Sequence, residues 1–244
     1  MRAYVDAITS KELTWVRLSE QYPDGTLWDG DVSYKDVEQG SRGNPFFVGA
    51  LAAVSERPEL IKDAFITQQF NKHGVYVIRF FIRGKPWLVS VDDEIAFDAR
   101  QNRPYFANVA TGRVVWPALV EKAFAKLKGT YSFVDDQTSA TALRALTGAP
   151  TYTYQFTGSK VSDSDMWDIL NDGDQKGYPM AMATHPSDGS GDLSGCGLPM
   201  GQAYHLISTF RLDDFKMLML RVPTGKSMEA YIRRWNWRDT KNWI

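Results

Sequence analysis

The chain has 244 residues with 28 basic and 29 acidic side chains, a formal net charge of −1, and 43% hydrophobic residues. That length holds a sizeable core, and the near-neutral charge gives no global field favouring nucleic acid or an anionic membrane surface. Cys196 is the sole cysteine, which excludes an intrachain disulfide and fits a reducing, cytoplasmic setting; no apolar run has the ~18 residues of a membrane span, and "MRAYVDAITSKE" lacks the apolar stretch of a signal peptide.

Residues 1–38 contain short apolar pieces among turn residues such as "YPDGTLWDGD" and read as an arm with little regular structure. A loop of small residues follows, and the run "FFVGALAAVS" from Phe46 to Ser55 predicts a helix. Unpaired N–H groups at such a helix start favour thiolates and oxyanions. Here Pro45 stands at the start, with neither a nucleophile nor an N–H. A second helix, "PELIKDAFI", begins at Pro58. "GVYVIRFFIRGKPWLVSVDD" predicts a β-hairpin turning at "RGKP". "WPALVEKAFAKLKG" predicts an amphipathic helix, with Trp116, Leu119, Val120, Ala123, Phe124 and Leu127 on one face and Gly129 as its C-cap. "SATALRALTGA" predicts a short helix stopped by Gly148 and Pro150.

Beyond Pro150 strand patterns prevail. "TYTYQF", "YPMAMAT", "GQAYHLISTFRL" and "FKMLMLRVP" read as strands, and "DSDMWDILNDGDQKG" as a helix. No internal repeat is visible. The expectation is an α+β fold divided into an arm (1–38), a helix-rich first lobe (39–149) and a strand-rich second lobe (150–244), hinged near Gly148–Pro150.

Five segments in order resemble the calpain-type, papain-like cysteine peptidases over roughly residues 31–240. "QGSRGNPF" at 39–46 is similar to the family's Q-G-x-x-G-D-C-W, and "WLVSVDDEIAFD" to its hairpin ending in V-D-D. "WPALVEKAFAKLKGTY" resembles W-x-A-L-L-E-K-A-Y-A-K-x-x-G-x-Y almost letter for letter. "GQAYHLIS" matches G-H-A-Y-S-V, and "RVPTG" matches R-N-P-W-G. The resemblance implies a two-lobed papain-like peptidase core. It also implies a last strand region that this sequence, stopping at Ile244, does not carry.

Such a site requires a thiol, an imidazole and an orienting amide. The resemblance puts Pro45 at the nucleophile's position, Gln202 at the base's and Val222 at the orienting residue's. A Gln side chain does not shuttle a proton near neutral pH and Val accepts no ring N–H, so the expectation is that the chain is not an enzyme. Gln39 matches the family's oxyanion-binding Gln and is read as retained structure, while Phe46 replaces the Trp after the nucleophile and is expected to pack between the lobes. His205 lies three residues past Gln202, so along a strand it points to the opposite face. Cys196, His73 and His185 match no catalytic position.

Family members also bind calcium through hard oxygen ligands. Asp36 matches one ligand of the first lobe, but its acidic partner falls on Val114; Glu229 and Asp239 align poorly with the second lobe's ligands. No metal or other cofactor is expected. "GSGDLSG" lacks the Lys-Ser/Thr ending of a phosphate loop, "DGDQKG" lacks EF-hand spacing, and the Trp- and Arg-containing tail reads as packing rather than nucleic-acid stacking. The resemblance points to a non-catalytic scaffold or interaction protein with protein partners, of the kind associated with the cytoskeleton, flagellum or axonemal microtubules in flagellated protists. The alternatives are a regulator that binds peptides or an active calpain, and a residual or different enzyme.

Overall fold

The computed structural model describes residues 13–41, 44–109, 112–131, 138–155, 161–184, 198 and 201–223. Strand β1 (Leu13–Arg17) runs into the short helix α1 (Leu18–Gln21). An irregular stretch with a 3-10 turn at Tyr34–Asp36 leads to helix α2 (Pro45–Val54), and α3 (Pro58–Ala64) follows. Next come strands β2 (Val75–Ile82), β3 (Lys85–Asp92), β4 (Glu94–Asp98) and β5 (Arg103–Pro104), then helices α4 (Trp116–Lys128) and α5 (Ser139–Thr147). Helix α6 (Asp163–Gln175) precedes β6 (Ala181–Ala183), β7 (Ala203–Leu212) and β8 (Phe215–Arg221). The described strands form three antiparallel sheets, β1-β4-β5, β2-β3 and β6-β7-β8.

Helix α2 is apolar on all sides, and eight of its ten residues are buried, which makes it the central element of the core. Phe47 on α2 stacks on Phe124 of α4 with centroids 4.6 Å apart, and Phe80 of β2 closes on the same ring at 5.9 Å. The predicted hairpin is present, with Ile82 opposite Lys85 and Val75 opposite Asp92. Gly148 has φ 72° and caps α5, a conformation that costs glycine little. No helix among the described residues is long and apolar enough to cross a membrane.

Two segments differ from the sequence expectation. The stretch read as an irregular arm is, from residue 13 on, built into the fold: β1 pairs with β4 in the register Leu13↔Asp98 to Arg17↔Glu94, and Leu18, Leu27, Val32 and Val37 are buried. Arg17 and the fully buried Asp93 hold this junction. The Asp93 carboxylate accepts Arg17 Nε–H at 2.9 Å and the Ser19 N–H at 3.0 Å, and the Leu18 N–H donates to Asp93 O at 2.9 Å. The other difference is "TYTYQF": residues 151–155 form no strand, and Tyr152 is 81% exposed. Alternation alone makes no strand without a neighbour to pair with.

Candidate functional site: the mouth of helix α2

Asn44 starts α2. Its buried side chain accepts the Phe47 N–H at Oδ1 (2.9 Å), while its carbonyl accepts the Val48 N–H at 3.0 Å. An Asn N-cap followed by Pro at the first helical position is a strong start signal, because the cap fills one orphan donor and Pro removes another. The mouth of this helix is therefore occupied by its own chain. Pro45 has no N–H and the Phe47 N–H is engaged. Phe46 is half-buried, and its carbonyl accepts the hydroxyl of Ser139 on α5 at 3.0 Å.

Strand β7 comes up against the face of α2 that carries Pro45. Gly49 lies one helical turn on from Pro45, and a methyl group added there would sit 3.0 Å from Ala203 Cβ. Gln202, the residue before Ala203, is thereby brought to the same end of the helix. Its backbone is fixed by Thr184: the Thr184 N–H donates to Gln202 O at 2.9 Å, and the Gln202 N–H donates to Thr184 Oγ1 at 3.0 Å. Among the described residues, the Gln202 Oε1 is buried without a hydrogen-bond partner.

Gln39 bridges the two sides. It pairs with Ala107 as an isolated antiparallel bridge, and its N–H donates to the carbonyl of Pro223 at 2.5 Å. Val222, just before Pro223, is buried. The Ala107 segment is held from below by Glu121 of α4, whose Oε2 accepts the Ala107 N–H at 2.5 Å. Glu121 is itself buried beside Tyr131, which stacks on Phe106 at 3.8 Å. Burial, with the negative charges of Glu121 and Asp92 adding to it, pushes the Tyr131 hydroxyl well above its ordinary pKa.

A polar cluster that the sequence did not reveal lies between the 3-10 turn and the β7-β8 ribbon. His205 is fully buried. Its Nε2 is 3.2 Å from Glu56 Oε1, a close electrostatic contact without hydrogen-bond alignment. The Tyr34 ring meets His205 edge-on at 5.3 Å, and the Arg221 guanidinium lies 5.7 Å from the centre of that ring. Burial pulls the Arg221 pKa down, opposed by Glu38, Tyr34 and Asp36. His205 pairs with Arg221 across the ribbon; nothing in the linear spacing of Tyr34, Glu56, His205 and Arg221 announces that they meet.

The first calcium position can be tested against its donors. Asp36 Oδ2 accepts the Ser33 N–H at 2.9 Å and Trp116 Nε1–H at 3.1 Å, so this carboxylate closes a capping box and anchors α4. Val114, where the second carboxylate would stand, is buried and bridged to Thr26. Among the described residues no group of three or more His, Cys, Asp or Glu side chains is placed to hold a metal. These residues do not fit a calcium ion. Of the other candidates, His73 accepts an Arg17 Nη2–H with its backbone carbonyl at 3.2 Å. Cys196, His185, Glu229, Asp239, the "GSGDLSG" loop and the Trp-containing tail lie outside the described residues.

Comparison with known proteins agrees with the resemblance in the motifs. The chain is 30% identical over 220 residues to the calpain-type cysteine protease ADL1 of Oryza sativa subsp. japonica, covering 88% of this chain and 10% of that protein. It is 29% identical over 224 residues to calpain-5 of Caenorhabditis elegans, covering 86% of this chain and 34% of that protein. Against the calpain of Schistosoma mansoni the figures are 30% over 164 residues, 66% and 22%. The chain thus spans about a tenth to a third of the length of these relatives. The sequence profile described as calpain family cysteine protease matches residues 4–243, and the chain belongs to that family.

Proposed function

We propose that this chain is a calpain-type, papain-like domain that works as a non-catalytic scaffold or interaction module rather than as a peptidase. The observation that carries the reading is the Asn44–Pro45 start of α2. At the position that matches the family's nucleophile, the helix offers a residue with no thiol and no N–H, and the adjoining cap fills the Phe47 donor. Gln202 and Val222, at the positions matching the base and its orienting amide, supply neither a proton carrier nor a ring acceptor.

The Gln39–Pro223 hydrogen bond and the Gly49–Ala203 approach support two halves held in one fixed arrangement. That favours a rigid module over the alternative, a regulator holding a peptide in an open groove. Protein partners are the corresponding expectation, and association with a cytoskeletal or flagellar assembly follows from the resemblance to protist members of the family. Pure protein assayed on casein and on fluorogenic peptides, with and without millimolar calcium, is expected to show no turnover. Calcium-dependent cleavage would overturn the reading. Detergent extraction of the native source distinguishes the two non-catalytic roles, since an assembly component stays in the pellet and a free regulator does not.

A further inference from the structure

The β7-β8 ribbon has two unlike faces. On one, Thr209 is buried under α6, its N–H donating to Asp174 Oδ2 at 2.7 Å, and Arg211 and Lys216 lie over the Trp167 ring at 5.8 and 5.7 Å. Helix α6 covers this side. On the opposite face, the cross-strand pairs Phe210↔Met217 and Leu212↔Phe215, with Met219, form a continuous apolar strip. Phe210, Leu212, Phe215 and Met219 on that strip are 39%, 52%, 50% and 48% exposed.

A strip this apolar on an exposed sheet face marks an interaction surface. Its chemistry narrows the occupant. The strip ends at the turn Asp213–Asp214, which places two adjacent, exposed carboxylates at its end. The two bases nearest the strip, Arg211 and Lys216, are turned to the other face by Trp167. Complementary charge on the partner is therefore positive. The two methionines make the strip adaptable to differently shaped apolar side chains. Five strand residues span about 16 Å, the length of about three helical turns, and a helix laid on a sheet is how α6 already covers the other side.

We infer that this face docks a basic amphipathic helix of a partner protein, its apolar stripe on Phe210, Leu212, Phe215, Met217 and Met219 and its cationic flank against Asp213 and Asp214. The inference rests on the interaction-module reading and gives it a surface. It does not depend on the absence of peptidase activity, which the casein assay measures separately.

The test uses the full chain and two labelled synthetic helices of about three turns, one of Leu and Lys and a charge-reversed one of Leu and Glu. Fluorescence anisotropy is expected to show the Leu/Lys peptide binding at least about tenfold more tightly than the Leu/Glu peptide at low salt. Phe215→Ser is expected to weaken Leu/Lys binding by about tenfold or more. Reversal to lysine in Asp213→Lys/Asp214→Lys is expected to weaken Leu/Lys and strengthen Leu/Glu binding, a swap that loss of folding does not produce. Peroxide is expected to oxidise Met219 readily in the free protein and slowly in the complex. Equal binding of both peptides, insensitivity to the reversal, or a Met219 already protected in the free chain by its own residues 224–244 would each overturn the proposal.

Discussion

The backbone N–H of Gln39 donates to the carbonyl of Pro223 at 2.5 Å, joining residues 184 positions apart in the chain. This one bond ties the segment before α2 to the segment after β8. Beside Gln39, Gly40 leaves no room for a side chain: an added methyl would run into the carbonyl oxygens of Phe106 and Pro104. Gly40→Ala must push that backbone aside and is expected to destabilise the fold by more than about 3 kcal/mol. Denaturant unfolding of the two proteins checks it.

The Asn44 cap is buried, so its loss leaves the Phe47 N–H without a partner in an apolar setting. Asn44→Ala is expected to cost about 1–2 kcal/mol, and Asn44→Asp, which keeps the acceptor, much less. Thermal melts of both variants distinguish a lost cap from general disruption.

Asp93 is fully buried and holds Arg17 and the Ser19 N–H together. Removing the carboxylate in Asp93→Ala leaves the half-buried Arg17 and Ser19 donors without their acceptor and frees β1 and α1 from the rest of the core. The expected loss is about 1–3 kcal/mol, with hydrogen exchange of residues 13–21 rising first.

Tyr131 gives a pH dependence whose sign is fixed. Burial, then the charges of Glu121 and Asp92, raise its pKa above the ordinary 10.0, so the folded chain keeps this proton where the unfolded chain loses it. The stability this contributes is fully present below about pH 10 and falls as pH rises through the interval up to the folded pKa. Tyr131→Phe is expected to flatten the alkaline fall in unfolding free energy without changing its value's trend near neutrality. An identical alkaline slope in the variant would refute this.

Placing a triad at the positions that the motif resemblance assigns to it, by Pro45→Cys, Gln202→His and Val222→Asn together, is expected to yield under about 1% of a working peptidase's rate, because a misplacement of about 1 Å costs about 100-fold. Val222 is buried and Phe46 is tied to Ser139, so the new groups enter a site shaped around other residues. Active-site titration of the triple variant measures it.

Much of this arrangement was legible locally. The β2-β3 hairpin follows from two alternating runs around Arg83–Gly84, and α4 and α5 from apolar periodicity ended by Gly129 and Gly148. Pro45 at the head of α2 was legible too, through the motif around it. The Asn44 cap leaves a local trace as well, in the Asn-Pro pair. What stayed hidden is non-local. Strand β1 becomes a strand only because β4, some 80 residues later, offers it an edge. The meeting of Tyr34, Glu56, His205 and Arg221 depends on where β7 and β8 lie against α2, which no window of sequence contains. Asp36 shows the opposite limit: its position suggested a ligand, and the fold spends its oxygen on Ser33 and Trp116.

The absent side chain at Gly49 has a mechanical consequence. With only hydrogen at Gly49, the α2 backbone lies directly against the Ala203 methyl of β7, and together with the Gln39–Pro223 clasp this contact does not rely on the covalent thread through Gly148 and Pro150. A protease that severs that thread would leave two fragments still gripping each other, eluting together until a denaturant parts them.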